Sequence, residues 1–316
     1  MSRRVDTRRE FLKTATVVGG SALLGARATR GADKGPGGRL HLACNEYPWM
    51  VFYARENRDF GASLDSGLAE VAQTGVDGFE PLVTGPPQID QLAPLLKKHG
   101  LQMRSLYVNS TLHSPDQAEE SIEQVLAIAE KAKRLGAKII VTNPNPIRWG
   151  GPEDKNDAQL QFQARALNKL GARLKEMGLL LAYHNHDAEL RNAAREFHHM
   201  MLGTNPEYVT LCLDAHWIYR GAGNSAVALF DVLKLYGRRV SELHLRQSVN
   251  HVWTEALGDG DIDYPRLARQ LLKIGVKPHL VIEQAVEQGS PKTMDAVESH
   301  RRSCAYARRV FAGFAG

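Results

Sequence analysis

After residue 38 the chain returns five times to one arrangement: an amphipathic helical pattern, a glycine near its end, then a short run of β-forming residues. The copies are Gln73-Thr74-Gly75-Val76, Lys98-His99-Gly100-Leu101, Arg134-Leu135-Gly136-Ala137, Glu176-Met177-Gly178-Leu179 and Lys273-Ile274-Gly275-Val276. Glycine takes the left-handed turn after a helix without a Cβ clash, so each copy reads as a helix stop feeding a buried strand. Strands are predicted at about 40–44, 77–80, 101–107, 137–142, 179–183, 209–213, 240–245 and 279–282. Helical patterns lie between them, among them Ser63 to Thr74, Asp116 to Leu135, Asp157 to Met177, Asp231 to Tyr236, Pro265 to Ile274 and Pro291 to Phe311. Eight alternating units of this period match a closed barrel. An open doubly wound sheet uses fewer strands and a glycine-rich first turn, and no G-x-G-x-x-G or Walker sequence follows any strand. The fold class predicted is α/β, a single (β/α)8 TIM barrel over residues 39–316.

The formal charge of +5 invites a nucleic-acid reading, but the N-terminus carries much of it. Thr7-Arg8-Arg9-Glu10-Phe11-Leu12-Lys13 precedes a weakly apolar stretch to Leu24 and the small-x-small site Ala26-Arg27-Ala28. This predicts a twin-arginine signal peptide over residues 1–28 and a Gly/Pro-rich linker over 29–38, with export to the periplasm. Taking residues 1–28 away removes six of the 40 Lys and Arg and two of the 35 Asp and Glu, so the net charge falls to +1. Nucleic acid is then not an expected partner. No apolar run approaches about 18 residues, so stable membrane insertion is not expected either. The twin-arginine route carries folded proteins, often with a cofactor already inserted, which raises the expectation of one here. Cys44, Cys212 and Cys304 cannot form a disulfide framework and read as buried, inert thiols.

On this fold chemistry sits where strands run out into the following loops. The second strand ends in Glu80, the fourth in Asn143, the fifth in His184-Asn185-His186-Asp187, the sixth in Asp214-Ala215-His216, the seventh in His244 and the eighth in Glu283. A lone His or Asp at a strand end is as readily a cap as a ligand. Four consecutive strands ending in imidazoles and carboxylates bring them to a ring about 10 Å across, where a shared metal is geometrically easy. Glu80 and Asn143 read equally as substrate contacts or as loop ties, and Arg246 as a substrate contact or a salt-bridge partner. Tyr47, Trp49, Phe52 and Tyr53 after the first strand, with Tyr107, His113 and Trp149 after the third and fourth, form a sugar-stacking wall or pack their own loops. Lys155, in the loop after the fourth strand, reads as exposed.

With these residues in place the sequence resembles the xylose isomerase-like barrel superfamily. That superfamily includes ketose 3-epimerases, hydroxypyruvate isomerase-like enzymes, inosose isomerases and dehydratases, and more distantly endonuclease IV. The carriers are Gly75-Val76-Asp77-Gly78-Phe79-Glu80, Tyr183-His184-Asn185-His186-Asp187 with Glu189, Leu213-Asp214, Glu242-Leu243-His244-Leu245, Leu257-Gly258-Asp259-Gly260-Asp261-Ile262-Asp263 and Val281-Ile282-Glu283-Gln284. The resemblance implies one divalent ion (Mn, Zn, Co or Mg) held by Asp214, His244 and Glu283, with His184 where many members carry a Glu. Trp217 stands where several members carry a second His. The first of these departures removes a negative charge and one candidate acid/base carboxylate, and the second removes an imidazole.

The activity implied is isomerisation or epimerisation of a keto-sugar or keto-polyol, by proton abstraction through a metal-stabilised enediolate. Candidate acid/base residues are Glu283, His186 and His184. Candidate substrate contacts are Glu80, Asn143, Trp49, His113, Trp217 and Arg246. A lyase of the same family, eliminating from a 3-keto-glycoside or a keto-inositol, stays open, as does a non-catalytic exported carbohydrate-binding barrel. An endonuclease IV-like phosphodiesterase would need more His and acidic ligands than the strand ends supply. The partner expected is a small carbohydrate, and a homo-oligomer is left open.

Overall fold

The computed structural model describes residues 39–315, and the leader and linker expected over residues 1–38 lie outside the described residues. Strands and helices alternate as the repeat predicts. They are β1 Leu42–Asn45, α1 Glu46–Arg55, α2 Leu64–Ala72, β2 Gly78–Glu80, α3 Pro86–His99, β3 Ser105–Tyr107, α4 Pro115–Arg134, β4 Ile139–Thr142, α5 Asp157–Glu176, β5 Leu180–His184, α6 Arg191–Gly203, β6 Val209–Asp214, α7 Ala215–Gly221, α8 Ala226–Tyr236, β7 Val240–Leu245, β8 Ser248–Val249, β9 Val252–Trp253, α9 Tyr264–Lys273, β10 His279–Ile282 and α10 Ala296–Val310. The helix-end glycines Gly75, Gly100, Gly136, Gly178 and Gly275 all have φ between +68° and +97°. Each therefore holds the conformation that favours glycine, and each turns a helix back into the next strand.

Eight of the strands form one parallel sheet in the order β2-β1-β10-β7-β6-β5-β4-β3, while β8 and β9 make a small antiparallel pair. The two ends of the sheet meet through isolated parallel bridges, Gly78 with Gln102 and Leu82 with Tyr107, so the barrel closes at a narrow seam. A Cβ at Gly78 would stand 2.5 Å from the Gln102 carbonyl oxygen, closer than any side chain tolerates. Only glycine lets the seam close there.

Strand alternation sorts the interior into two regions. Outward-facing Leu42, Leu106, Leu181, Leu213, Leu243 and Leu280 pack under the helices in the main core, whereas Tyr107, Ile139, Val141, Ala182 and Cys212 form a small apolar cluster of their own. The inward set is short on bulk and ends in charged groups, which places those groups at the C-terminal mouth.

Two expectations are corrected at this level. The residues after β1 form helix α1, started by Asn45, whose Oδ1 accepts from the Tyr47 N–H at 2.7 Å. The helix turns Trp49, Phe52 and Tyr53 into the core, where Trp49 is fully buried, stacks on His300 at 4.4 Å between ring centroids and donates from Nε1 to Cys44 Sγ. Trp49 is thus a core residue and cannot stack on a sugar; of this group only Tyr47 reaches the mouth. Lys155 is buried rather than exposed, its Nζ donating to Glu196 Oε1 at 2.6 Å and to the Pro144 carbonyl at 3.3 Å.

Candidate metal centre and active site

His184, Asp214, His244 and Glu283 come from the ends of β5, β6 and β7 and from the residue after β10, and one ligand-type atom of each lies within 4.8 Å of the others. Strand register accounts for this: Asp214 stands opposite His244 and His184 opposite Cys212, while His244 stands opposite Val281, two residues before Glu283. His184 Nε2 is 3.9 Å from both Asp214 Oδ2 and Glu283 Oε2, too long for a hydrogen bond. Both His184 Nε2 and Asp214 Oδ2 are buried without a partner. Leaving such atoms unpaired is costly, and lone pairs facing each other across about 4 Å suit donors about 2 Å from one shared cation. The donor set of two imidazoles and two carboxylates therefore fits a divalent ion.

Each candidate ligand is fixed by a second contact. Asp214 Oδ1 accepts from the Trp217 N–H at 2.8 Å and so caps α7, leaving Oδ2 for the cluster. Asn185 clamps the same strand end, its Oδ1 accepting from the Asp214 N–H and its Nδ2 donating to the Asp214 carbonyl, both at 3.2 Å. Burial pushes the Asp214 carboxyl up to about 7. Glu283 is different: Oε2 lies 2.9 Å from His244 Nδ1 and Oε1 lies 3.1 Å from Arg246 Nη2. Against the upward push of burial, Arg246 and His244 hold Glu283 well below the usual carboxylate range.

Arg246 is a salt-bridge partner. Its side chain is buried, pairs with Glu283 and lies between Trp217 and Trp253, with its guanidinium carbon 5.1 Å and 4.3 Å from the ring centroids. Its Nη1 is a buried donor without a partner, and the residue lines the mouth cavity. That cavity, about 360 Å³, also has Tyr47, Trp149, His186, Trp217 and Glu283 in its walls, a volume suited to a small molecule. His186 is half-buried there, edge-on to Trp149 at 5.3 Å between centroids and 5.6 Å from Trp217. Burial pulls its imidazole down to about 4, so the ring is neutral near pH 7.

Three expected substrate contacts lie elsewhere. Glu80 is fully buried beneath the cluster, with Oε1 3.1 Å from His244 Nε2 and 2.7 Å from its donor Asn45 Nδ2, and Oε2 accepting from Ser105 Oγ at 2.6 Å. Both its oxygens are therefore already engaged within the barrel. Asn143 is a tie: its Nδ2 donates to the His184 carbonyl and to Glu189 Oε1, both at 3.1 Å. His113 is half-buried and outside the cavity walls. His216, next to the cluster in sequence, is turned away onto Ser248 Oγ at 2.9 Å.

Glu242 and Trp253 were not singled out from the sequence. Glu242 Oε1 is 3.1 Å from His244 Nε2, and burial together with the Glu80 charge raises its pKa well above the usual value. The signal for it was available: Glu242 is two residues before His244, so an extended strand puts both on the inner face. Trp253 had none, because a two-residue hairpin leaves no periodicity.

A family model for the xylose isomerase-like TIM barrel matches residues 68–308. The chain belongs to the xylose isomerase-like TIM barrel family. An inosose dehydratase of Clostridium perfringens (strain 13 / Type A) is 26% identical over 250 residues, 70% of this chain and 82% of that protein. Among solved structures, an L-ribulose 3-epimerase superposes with a TM-score of 0.66 at 17% identity, covering 87% of this chain and 95% of that one. A xylose isomerase-like TIM barrel protein from Mycobacterium smegmatis in complex with magnesium gives 0.65 at 13% identity, over 88% and 97%. At these identities the structural likenesses are likenesses of fold.

Proposed function

We propose that this chain is a divalent-metal-dependent isomerase or epimerase acting on a keto-sugar or keto-polyol by removing a proton next to the carbonyl. The observation that carries the reading is the set of four facing donors, two of them with orphaned, buried lone pairs, beside an aromatic-walled cavity that Glu283 also lines. His184, Asp214, His244 and Glu283 would hold the ion, which when bound supplies Lewis-acid polarisation of a carbonyl. The unpartnered Arg246 Nη1 would bind a substrate oxygen, and the indoles of Trp149 and Trp217 would lie against the apolar face of a sugar ring, a reading supported by their position in the cavity wall. His186, neutral and free of ring hydrogen bonds at Nδ1, takes the proton.

A second reading, a lyase of the same barrel type, is favoured by one feature. Both Glu283 oxygens are engaged, by His244 and Arg246, which leaves His186 as the acceptor free of partners at the mouth, and elimination needs proton removal from one face only. The inosose dehydratase relative agrees with it. The protein reconstituted with Mn, Zn, Co or Mg and offered ketohexoses, 3-keto-glycosides and an inosose in deuterium oxide separates the readings. A stereoisomer carrying deuterium marks the epimerase and an unsaturated ketone marks the lyase. Metal-loaded protein that exchanges no α-proton of any of them would leave only a binding barrel.

We also infer export. The Arg8-Arg9 pair in the leader supports it, and replacing both by Lys is expected to retain the precursor in the cytoplasm. Unchanged export of that variant, followed by cell fractionation, would remove the assignment.

A further inference from the structure

The end of the barrel away from the mouth holds a second cavity, about 400 Å³, around the entering ends of β1, β4 and β10 and the chain just before β3. Its charged walls are all cationic: Arg39, Arg104, Lys138 and Lys277 contribute, and no carboxylate does. The nearby acid Asp77 is already taken by Arg39 at 3.3 Å and Arg308 at 2.8 Å. Among the described residues Arg104, Lys138 and Lys277 have no acidic partner within ion-pair distance. Helix C-terminal carbonyls gather at this end of a barrel and attract cations singly, but that does not account for the floor of the cavity. There the rings of His41 and His279 lie 5.2 Å apart, and both nitrogens of His41 and Nε2 of His279 are buried with no hydrogen-bond partner. Strand register sets the two side by side, since Leu42 pairs with Leu280. Burial, then Arg104, pulls His41 down to about 4, and burial, then His41, pulls His279 down to about 3, so both rings are neutral near pH 7.

We propose that this basal cavity binds a small phosphate-type oxyanion, its charge met by Arg104, Lys138 and Lys277 and its oxygens accepting from the ring N–H groups of His41 and His279. Neutral imidazoles each offer one donor, and three otherwise unpaired cations around them supply charge-assisted contacts. The bound anion would tie β1 and β10 to the chain before β3 across the base and so stabilise the folded barrel by mass action.

The test uses the full chain and inorganic phosphate, titrated at constant ionic strength against chloride. Saturable binding is expected, with a rising thermal midpoint and NMR shifts confined to the rings of His41 and His279. The double variant Lys138→Gln/Lys277→Gln changes exposed side chains, so it should fold and keep its turnover. It is expected to bind phosphate at least about tenfold more weakly, the loss of charged hydrogen bonds. A parallel titration with glycerol 3-phosphate separates free phosphate from a phosphate ester: tighter binding of the ester brings in the apolar wall at Ile139 and Phe314, and equal binding assigns recognition to the oxyanion. Non-saturable binding, shifts at His184 or His186 instead, or wild-type affinity in the double variant would overturn the proposal.

Discussion

Asp214→Asn is expected to bind divalent metal at least about 10²-fold more weakly than the wild type and to lose metal-dependent turnover to background, because a neutral amide replaces a buried anionic ligand. Asn is the more informative substitution. Its Oδ1 still accepts from the Trp217 N–H, so the start of α7 survives, whereas Ala also removes a cap, at a cost of about 1 kcal/mol. His244→Ala and Glu283→Ala should give the same metal loss. The Glu283 change also strands Arg246, which pairs with it at 3.1 Å, so a lower thermal midpoint accompanies it. Metal content by elemental analysis, read with activity before and after EDTA, decides the matter. A stoichiometric ion in purified Asp214→Asn would end the assignment of this cluster.

The second large effect is expected at His186. His186→Ala should keep metal content close to wild type while turnover drops by about 10²-fold, the usual contribution of general acid/base catalysis. A bland role, with the imidazole merely supporting Glu189, does not match the contacts. Glu189 Oε1 accepts from Asn143 Nδ2, and Oε2 accepts from the His186 backbone N–H at 2.7 Å, so the carboxylate already has both oxygens engaged without the ring. Deuterium exchange at the substrate α-carbon is the discriminating measurement. Exchange at the wild-type rate in the variant would transfer the proton to another group, Glu283 first.

The fold was legible because its punctuation is local. Five helix-end glycines spaced along the chain each needed only their own turn to be read, and all five have positive φ. The candidate cluster was legible for a related reason: a strand end in an otherwise apolar run exposes a polar residue to one place only, the mouth. What failed needed knowledge of depth. Glu80 and His244 both end or nearly end a strand, yet only the tertiary contacts of Glu80 with His244, Asn45 and Ser105 show that it is fully buried and spoken for. Trp49 failed for another reason. Glu46–Arg55 carries an aromatic cluster that reads as a loop wall, and only the Asn45 cap, with tertiary burial of one helical face, makes it a helix that hides its indole. Glu242 has the opposite history, since its place two residues before His244 was readable by strand period alone.

The two oxygens of Asp214 face separate neighbours. One anchors the first turn of α7, which carries Trp217, and the other faces the cluster of His184, His244 and Glu283, so the indole that walls the cavity is tied to a candidate ligand by one hydrogen bond. Ions of different radius seat their ligands at different distances, from about 2.0 Å for Zn and Mg to 2.3 Å or more for larger cations. If Asp214 holds such an ion, a shift of that size would be relayed through a single hydrogen bond to the Trp217 backbone. The identity of the ion would then be a gauge of pocket width, and on the proposed function exchanging one metal for another would recalibrate which substrate fits as well as how fast it reacts.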